Sequence, residues 1–408
     1  MKPSRLMPFA ATVAAAAASA VARPEDAARP QAPMRDDVLS TLDGAVDHLG
    51  GAVLNAVART GRRVPGYRGG SDTAGTPQHA QDSPTNRSVI EIIRQSGQAT
   101  YFSRLLESHG RLRDMLDNGE GETGTFTVLV PTDGAFRELE GLERSEGALL
   151  GAMLEYHVLE GRRTADELGG EAGGALPTVL AEDELGGRRQ RVRVGAGTAG
   201  VEVNFYGRVV GSEPMGRNGL VHFIDGVLVP PPRCAALVGS LPGRLGTFAR
   251  ALRETGVAGE MGGHAGRGWT LFAPSDEAWE DLEADARRFL FSRGGRAYLR
   301  ALVRYHVAEE VLYTGEEGRG RRRRVGTLLG GEEVSVEFGG GSRPARVNAA
   351  GAAVSVGDVP ARDGVVHVVD GVLLPPALGA EDAGGVGGRI GVQGLKRRLG
   401  RYVEGEEL

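Results

Sequence analysis

The sequence predicts two tandem copies of one domain, each built from helices followed by short β-hairpins. This prediction rests on three stretches that recur in the same order at nearly constant spacing. The first is TVLVPTDGAF at residue 127, which recurs as TLFAPSDEAW at residue 270. The second is the tripeptide Tyr-His-Val, which begins at residues 156 and 305. The third is GLVHFIDGVLVPP at residue 219, which recurs as GVVHVVDGVLLPP at residue 364. Each copy is therefore about 140 residues long, the size of one ordinary domain.

The composition of the chain limits the classes of protein to which it can belong. Its 408 residues are enough for two domains and their tails, and 65 glycines with only 5% aromatic residues predict thin cores and many loops. A net charge of -5 argues against a nucleic-acid partner. The single cysteine, Cys234, excludes an intramolecular disulfide and is interpreted as an inert structural thiol, the alternative being a bond to a second chain.

The chain is expected to begin with a secretory signal peptide at residues 1–22. Lys2 and Arg5 supply the positive start, an apolar run follows at 6–18, and Ala-Ser-Ala or Ala-Val-Ala offers a cleavage site. An organellar transit peptide is the alternative, because no acid precedes Glu25. No later stretch has the roughly 18 consecutive apolar residues that a membrane-spanning helix needs, so no transmembrane segment is predicted.

Residues 23–86 are rich in proline, glycine and charge and are expected to be a disordered linker. Within the linker, apolar residues recur at intervals of three and four over residues 39–56, which indicates a short amphipathic helix. That helix either lies on the first domain or mediates self-association. Asn86 begins the N-glycosylation sequon Asn-Arg-Ser, which predicts a glycoprotein. Residues 377–408 form a Gly-rich, charged tail.

Each repeat is predicted to contain a short strand that runs into a helix. Pro131 ends the first strand, Thr132 can cap the following helix, and Asp133 would lie near its positive end. The second repeat has Pro274 followed by Ser275 in the same role, with carboxylates in the first turn. These acids are interpreted as parts of helix caps rather than as reactive groups.

A histidine lies on the apolar side of one helix in each repeat. Apolar residues precede both His157 and His306 by three, four and seven positions, which is the spacing of one helix face. Such histidines are expected to be desolvated and neutral, with the ring hydrogen-bonded to a backbone group. Their predicted role is therefore packing rather than catalysis.

The second half of each repeat reads as β-hairpins, followed by a strand, an Asp-Gly turn and a second apolar strand closed by two prolines. His222 and Asp225 occupy this closing motif in the first repeat, and His367 and Asp370 occupy it in the second. The strongest charge run, GRGRRRR at 318–324, is interpreted as a solvated loop, with contact to an anionic surface or cleavage by a processing protease as alternatives.

Motifs that carry common enzyme chemistry are missing from the sequence. It contains no HExxH, no Cys-x-x-Cys, no Gly-Lys-Ser/Thr phosphate loop and no Gly-x-Ser-x-Gly nucleophile motif. Because both repeats carry the same histidines and aspartates, these residues are assigned to duplicated scaffolding. No catalytic, cofactor or metal site is predicted, and the chain is not expected to be an enzyme.

The three motifs, in this order, resemble the fasciclin I domain over residues 87–232 and 236–376. This resemblance implies an α+β fold of two tandem fasciclin-like domains, each a wedge with a β-sandwich core flanked by helices. It also implies a role in adhesion and protein–protein contact rather than in catalysis.

In animal members of this family the Tyr-His segment is linked to integrin binding. Carried over, the segment is Tyr156 with His157 in the first repeat and Tyr305 with His306 in the second. The helical spacing turns both histidines inward, so they would shape a neighbouring surface instead of contacting a partner.

The expected function is that of a non-enzymatic adhesion or protein-interaction protein of the secretory pathway, located in the vacuole or outside the cell. The composition resembles two-domain fungal members of the family. Expected partners are proteins, cell-wall or matrix components, and membrane-associated molecules. The alternative is a vacuolar membrane-trafficking or fusion accessory, and a cryptic hydrolase or metal enzyme using His222 and His367 is less favoured.

Overall fold

The computed structural model describes most of both repeats and a segment near the C-terminus. The described residues are 86–119, 124–137, 147–170, 174–197, 200–213, 215–241, 244–262, 266–314, 321–339, 345–347, 351–376 and 389–403. The described residues form two compact units, the second of which comprises residues 182–188 and the described residues from 231 onward. The predicted signal peptide at 1–22 and the predicted helix at 39–56 lie outside the described residues.

The first unit begins with three helices whose apolar sides are buried. In its described residues the helices are α1 (Val89–Gln95), α2 (Thr100–Ser108), α3 (Gly110–Asn118), α4 (Asp133–Arg137), α5 (Gly147–Tyr156) and α6 (Ala165–Gly169). Helix α1 starts at a capping box, in which the Ser88 hydroxyl accepts from the Glu91 backbone N–H and the Glu91 carboxylate accepts from the Ser88 backbone N–H. This box fixes the point at which the chain enters the first helix.

The strands of the first unit close into a seven-stranded barrel. They are β1 (Phe126–Pro131), β2 (Val158–Glu160), β3 (Gly174–Glu182), β4 (Arg188–Gly197), β5 (Gly200–Val203), β6 (Gly207–Ser212) and β7 (Gly219–Ile224). Strand β1 pairs in parallel with β7 and antiparallel with β2, so the first and last strands of the repeat are neighbours. The expected β-sandwich core is a closed sheet in this unit.

Both faces of β1 are buried, each against a different hydrophobic cluster. Val128 and Val130 pack with the apolar sides of α1, α2 and α3. Leu129, which lies between them, packs with Tyr156 and with apolar residues of the other strands. This two-sided burial explains why the strand is a continuous apolar run instead of an alternating one.

The second unit repeats this plan. Its described helices are α7 (Cys234–Gly239), α8 (Gly246–Thr255), α9 (Val257–Gly262), α10 (Asp276–Glu280), α11 (Ala284–Leu290) and α12 (Arg296–Tyr305). Its described strands are β8 (Trp269–Pro274), β9 (Val307–Ala308), β10 (Arg322–Gly326), β11 (Glu333–Glu337), β12 (Arg346–Val347), β13 (Ala352–Ala361) and β14 (Gly364–Val369). Their order in the sheet is β10-β11-β12-β13-β14-β8-β9, and β8 and β14 are parallel.

One further helix, not predicted from the sequence, lies within the segment interpreted as a charged tail. Helix α13 (Val392–Leu399) contacts α11 and α12 and buries Leu395 and Leu399, which are spaced four residues apart. Ile390 forms a β-bridge with Leu282. Part of the segment 377–408 is therefore packed on the second unit, because its leucines give it an apolar side.

Candidate functional site

The helix histidines His157 and His306 are fully buried, and each uses both ring nitrogens. The His306 Nδ1–H donates to the Leu302 carbonyl oxygen at 2.8 Å, and its Nε2 accepts from the Leu373 backbone N–H at 3.0 Å. The equivalent bonds of His157 are 2.8 and 2.9 Å long. Each histidine therefore joins the end of its helix to the chain that follows the Asp-Gly turn.

Burial also sets the charge of these two rings. Desolvation lowers the pKa of both His157 and His306 to about 4, although the backbone carbonyl that accepts from each ring acts in the opposite direction. Both are therefore neutral near pH 7. The expectation of desolvated, neutral and backbone-bonded histidines is confirmed.

The strand histidines His222 and His367 are almost completely buried and have the opposite tautomer. The His367 Nε2–H donates to the Leu312 carbonyl oxygen at 2.8 Å, and its Nδ1 accepts from the Asp358 backbone N–H at 3.1 Å. In the first repeat the His222 Nε2–H donates to a carbonyl oxygen at 2.7 Å, and its Nδ1 accepts from the Ser212 hydroxyl at 2.6 Å. In both repeats this histidine connects its strand to the segment that follows the Tyr-His helix.

The aspartates of the closing motif hold the Asp-Gly turn to the preceding strand. The Asp225 carboxylate accepts from the Arg208 backbone N–H at 2.7 Å, and the Asp370 carboxylate accepts from the Ala353 backbone N–H at 2.6 Å. Each aspartate also donates its own backbone N–H to the carbonyl of the same partner, at 3.1 and 3.0 Å. Both copies share this pair of bonds, and Asp225 in addition forms an ion pair with the Arg208 guanidinium.

The tyrosines of the Tyr-His segment lie inside their units. Tyr156 is 0% exposed and Tyr305 is 1% exposed. The Tyr156 hydroxyl donates to the Arg191 carbonyl at 2.9 Å and accepts from the Asn204 amide at 2.9 Å, while the Tyr305 hydroxyl donates to the Glu333 carbonyl at 3.2 Å. A partner on the outside of the folded chain therefore has no access to either ring.

The acids after the first strand act on a different helix from their own. The Asp133 carboxylate accepts from the Thr100 hydroxyl and the Tyr101 backbone N–H, both at 2.9 Å, at the start of α2. Asp276 accepts from the Thr247 backbone N–H at 2.8 Å at the start of α8. From the sequence these acids were assigned only to the first turn of their own helices. The helices on which they also act were not recognised, because the bonded residues lie 32 positions before Asp133 and 29 positions before Asp276.

The predicted caps Thr132 and Ser275 are confirmed. Their side-chain oxygens accept from the backbone N–H three residues later, at 3.3 and 3.2 Å. In each repeat, therefore, one polar side chain caps the helix that directly follows it, and the acid next to it caps an earlier helix of the same repeat.

Two buried threonines were not singled out from the sequence. The Thr127 hydroxyl donates to the Gly161 carbonyl at 2.8 Å and accepts from a backbone N–H, also at 2.8 Å. Thr270 makes the equivalent pair of bonds, 2.6 and 2.8 Å long. The sequence did contain an indication of their role, because threonine is the first residue of the strand motif in both repeats.

Cys234 takes part in a backbone hydrogen bond that has an equivalent in the first repeat. Its backbone N–H donates to the buried Asp363 carboxylate at 2.7 Å, and in the first repeat the Val89 N–H donates to the Asn218 side chain at 2.9 Å. Burial, and then the adjacent Asp363, raises the pKa of the Cys234 thiol well above its usual value. The thiol is buried and free, which agrees with its interpretation as an inert structural group.

The stability of the second domain is expected to depend on pH through His306. Its pKa is about 4 when folded and 6.5 when exposed, so the unfolded chain binds a proton more readily and stability falls as the pH drops through this interval. The loss from this histidine between about pH 7.5 and pH 5 is expected to be about 2 kcal/mol.

Urea unfolding of the wild-type chain and of His306→Gln across this pH range measures that contribution. The difference between the two pH profiles is required because burial raises the pKa of Glu182 to about 7, which changes stability in the opposite direction over the same range. A difference that does not vary with pH would contradict a buried, neutral His306.

No group of metal-binding side chains occurs in the described part of the chain. Among these residues no three His, Cys, Asp or Glu side chains are grouped so that they could hold a metal ion. None of the described helices has the length and apolar composition needed to cross a membrane.

Comparison with known proteins identifies the architecture. The Fasciclin domain matches residues 97–230 and 243–375, which together make up more than half of the chain. Aurofusarin biosynthesis cluster protein S from Gibberella zeae is 28% identical over 334 residues, covering 73% of this chain and 80% of that protein. A solved FAS1 domain pair from the insect cell adhesion molecule Fasciclin I is 20% identical and covers 69% of this chain and 98% of that chain, with a TM-score of 0.35.

Larger animal proteins are also similar to this chain. Transforming growth factor-beta-induced protein ig-h3 from Sus scrofa is 29% identical over 297 residues, which are 72% of this chain and 37% of that protein. Human periostin is 26% identical over 262 residues, which are 62% of this chain and 28% of that protein. The chain thus spans less than two-fifths of either animal protein. With two Fasciclin domain matches in tandem, it belongs to the fasciclin family.

Proposed function

We propose that this chain is a non-enzymatic adhesion and protein-interaction protein. The observation that carries the proposal is the use of the motif side chains in both repeats. The four motif histidines and the two turn aspartates bind backbone groups of their own repeat, and equivalent residues bind equivalent groups. Both ring nitrogens of each histidine and one carboxylate bond of each aspartate hold the domain together, so the outer surface of each domain is what a partner would contact.

The relatives are consistent with such a role. The solved domain pair comes from a protein described as a cell adhesion molecule, and the Gibberella relative, which this chain covers along 80% of its length, is named for a biosynthesis cluster. Neither name describes a catalytic activity of a fasciclin domain. Because the animal relatives are much longer, their partners are not transferred to this chain.

The secretory pathway is proposed as the route of the protein, with the vacuole or the outside of the cell as its destination. The basic and apolar pattern of residues 1–22 and the sequon at Asn86 support this route. Asn86 is exposed at the first described position, where a glycan would have room. Glycosidase treatment of the full chain, followed by mass measurement, tests the use of this sequon.

Photo-crosslinking capture tests the proposed interaction. The full chain, expressed in its own host with a crosslinking residue at an exposed position, is expected to recover the same protein partner repeatedly from extracellular or vacuolar fractions. The purified partner should then bind the chain saturably. A tag on the mature chain reports its compartment in the same experiment.

A thermally unfolded sample of the same chain is the control, because it presents the same sequence without the folded surface. Equal capture by folded and unfolded samples, or no partner in either fraction, would contradict the proposal.

Metal analysis of the purified chain with His222→Ala and His367→Ala addresses the enzyme alternative. Coordinated loss of a bound metal and of an activity in these variants would favour that alternative.

A further inference from the structure

The last helices of the second domain carry a concentration of positive charge that the corresponding helix of the first repeat lacks. Residues 284–305 contain six arginines and one acid, and residues 389–403 contain five basic residues and no acid, in a chain with a net charge of -5. The helix of the first repeat that corresponds to α12, residues 147–156, has no basic residue and one acid. Since both copies belong to one family, the shared fold does not require these charges.

Part of this charge is neutralised within the second domain. Arg300 and Arg304 both bind the Glu260 carboxylate at 2.8 Å, and Arg401 binds Glu332 at 2.8 Å. These cations take part in ion pairs that connect neighbouring segments. They are therefore not the residues on which a binding surface would depend.

Among the other cations of these segments, Arg293, Arg296 and Lys396 are exposed. Within the ranges that the structure describes, no acidic side chain forms an ion pair with any of them. We call these three residues the basic helical surface. Their charge is available to a partner.

Aromatic contacts hold the basic helical surface on one packed group of helices. The Lys396 Nζ on α13 lies 5.1 Å from the centre of the Phe289 ring on α11, and that ring lies 5.2 Å from the ring of Tyr298 on α12. The two arginines flank Gly295, which packs so closely on the Phe289 carbonyl that a Cβ would overlap it. All three cations therefore belong to segments that pack against Phe289.

The arginine run on β10 is a weaker candidate for the same role. Arg322 pairs with Glu337 on the neighbouring strand at 3.1 Å, and Arg323 pairs with Glu310. Acids beside the run reduce its attraction for a second anion. This run therefore supplies a matched control for the basic helical surface.

We propose that the basic helical surface binds an anionic polysaccharide, whose sugars carry carboxylate, sulfate or phosphate groups. Guanidinium groups bind such oxyanions through paired hydrogen bonds, and cations on α13, on α12 and in the turn before α12 can meet successive charges along a polymer. Insertion into a lipid bilayer is not favoured, because the one exposed large apolar side chain among the described residues is Val210, in the first unit. The inference rests on the proposed interaction role and gives it a second class of partner.

Binding of fluorescent heparin and fluorescent polygalacturonate to the full chain tests the inference. The wild-type chain should bind at least one of them, more weakly as the salt concentration rises. The test variant combines Arg293→Gln, Arg296→Gln and Lys396→Gln. The control variant makes the same change in charge at three ion-paired arginines and combines Arg322→Gln, Arg323→Gln and Arg94→Gln, since Arg94 pairs with Glu107. The test variant is expected to bind about tenfold more weakly and the control less than about twofold, from the usual strength of exposed ion pairs.

Equal weakening in both variants would overturn the inference, because it would show a general charge effect. Binding of the wild-type chain to phosphatidylserine vesicles but to neither polysaccharide would also overturn it. Circular dichroism and the tryptophan-reported unfolding midpoint confirm that both variants are folded. Capture of a protein partner without binding to either polysaccharide would contradict this inference alone. Binding of a polysaccharide through these residues without capture of a protein would contradict the protein-interaction proposal alone.

Discussion

Replacing His306 with aspartate is expected to destabilise the second domain by roughly 3 kcal/mol. The substitution removes the Nδ1–H that donates to the Leu302 carbonyl and places a carboxylate where the ring is fully buried. The Leu373 backbone N–H, which donates to Nε2 in the wild-type chain, would have to find another acceptor. The buried carboxylate must either stay protonated or draw water into the core, and both cost free energy.

Tryptophan fluorescence measures this effect in one domain. The chain has two tryptophans, Trp269 and Trp279, and both are buried in the second domain. Urea unfolding followed by this signal should therefore show a lower midpoint for His306→Asp. His157→Asp, the same change in the first domain, is the matched control and should leave the tryptophan transition near its wild-type midpoint. An unchanged midpoint for His306→Asp would show that the ring is not held as the structure describes.

Gly364→Ala is expected to destabilise the second domain by about 3 kcal/mol, because the position has no room for a side chain. Gly364 has a φ of +155° at the start of β14, and a Cβ added there would lie 2.7 Å from the Trp269 backbone nitrogen and still closer to its carbonyl oxygen. These are backbone atoms of the paired strand β8, so they cannot move without separating the two strands. The parallel pair at the centre of the repeat would be disturbed.

The control for this substitution is Gly330→Ala in the same domain. A methyl group added at Gly330 would meet no heavy atom within 4 Å, so the free energy of unfolding should stay within about 0.5 kcal/mol of the wild-type value. Equal midpoints for the wild-type chain and Gly364→Ala in the tryptophan-reported transition would refute the steric argument. Equal losses in the two variants would point to the removal of glycine as such.

The repeat and the direction of its histidines were predictable from sequence, because both follow from periodicity. The spacing around His157 and His306 is helical, and a residue on the apolar side of a helix is buried. The duplicated motifs located the paired strands of each domain for the same reason. Their common identity across the two copies then favoured a shared scaffold role over a reaction centre.

Contacts between residues far apart in sequence were not predictable. Asp133 caps a helix that begins at Thr100, and nothing in the spacing of these residues shows that the two helices meet. Helix α13 was missed because glycines precede and interrupt its short apolar pattern, which gives the segment a weak helical signal on its own. Packing of Leu395 and Leu399 against neighbouring helices compensates for that weakness.

The parallel pairing of the outer strands has a consequence for synthesis on the ribosome. Strand β1 pairs with β7 through the register Phe126 to Gly219, so nearly the whole first domain must leave the exit tunnel before its earliest strand finds its partner. The second domain has the same dependence between Trp269 and Gly364. During that interval the nascent chain exposes an apolar strand, and the cell must shield it from premature association.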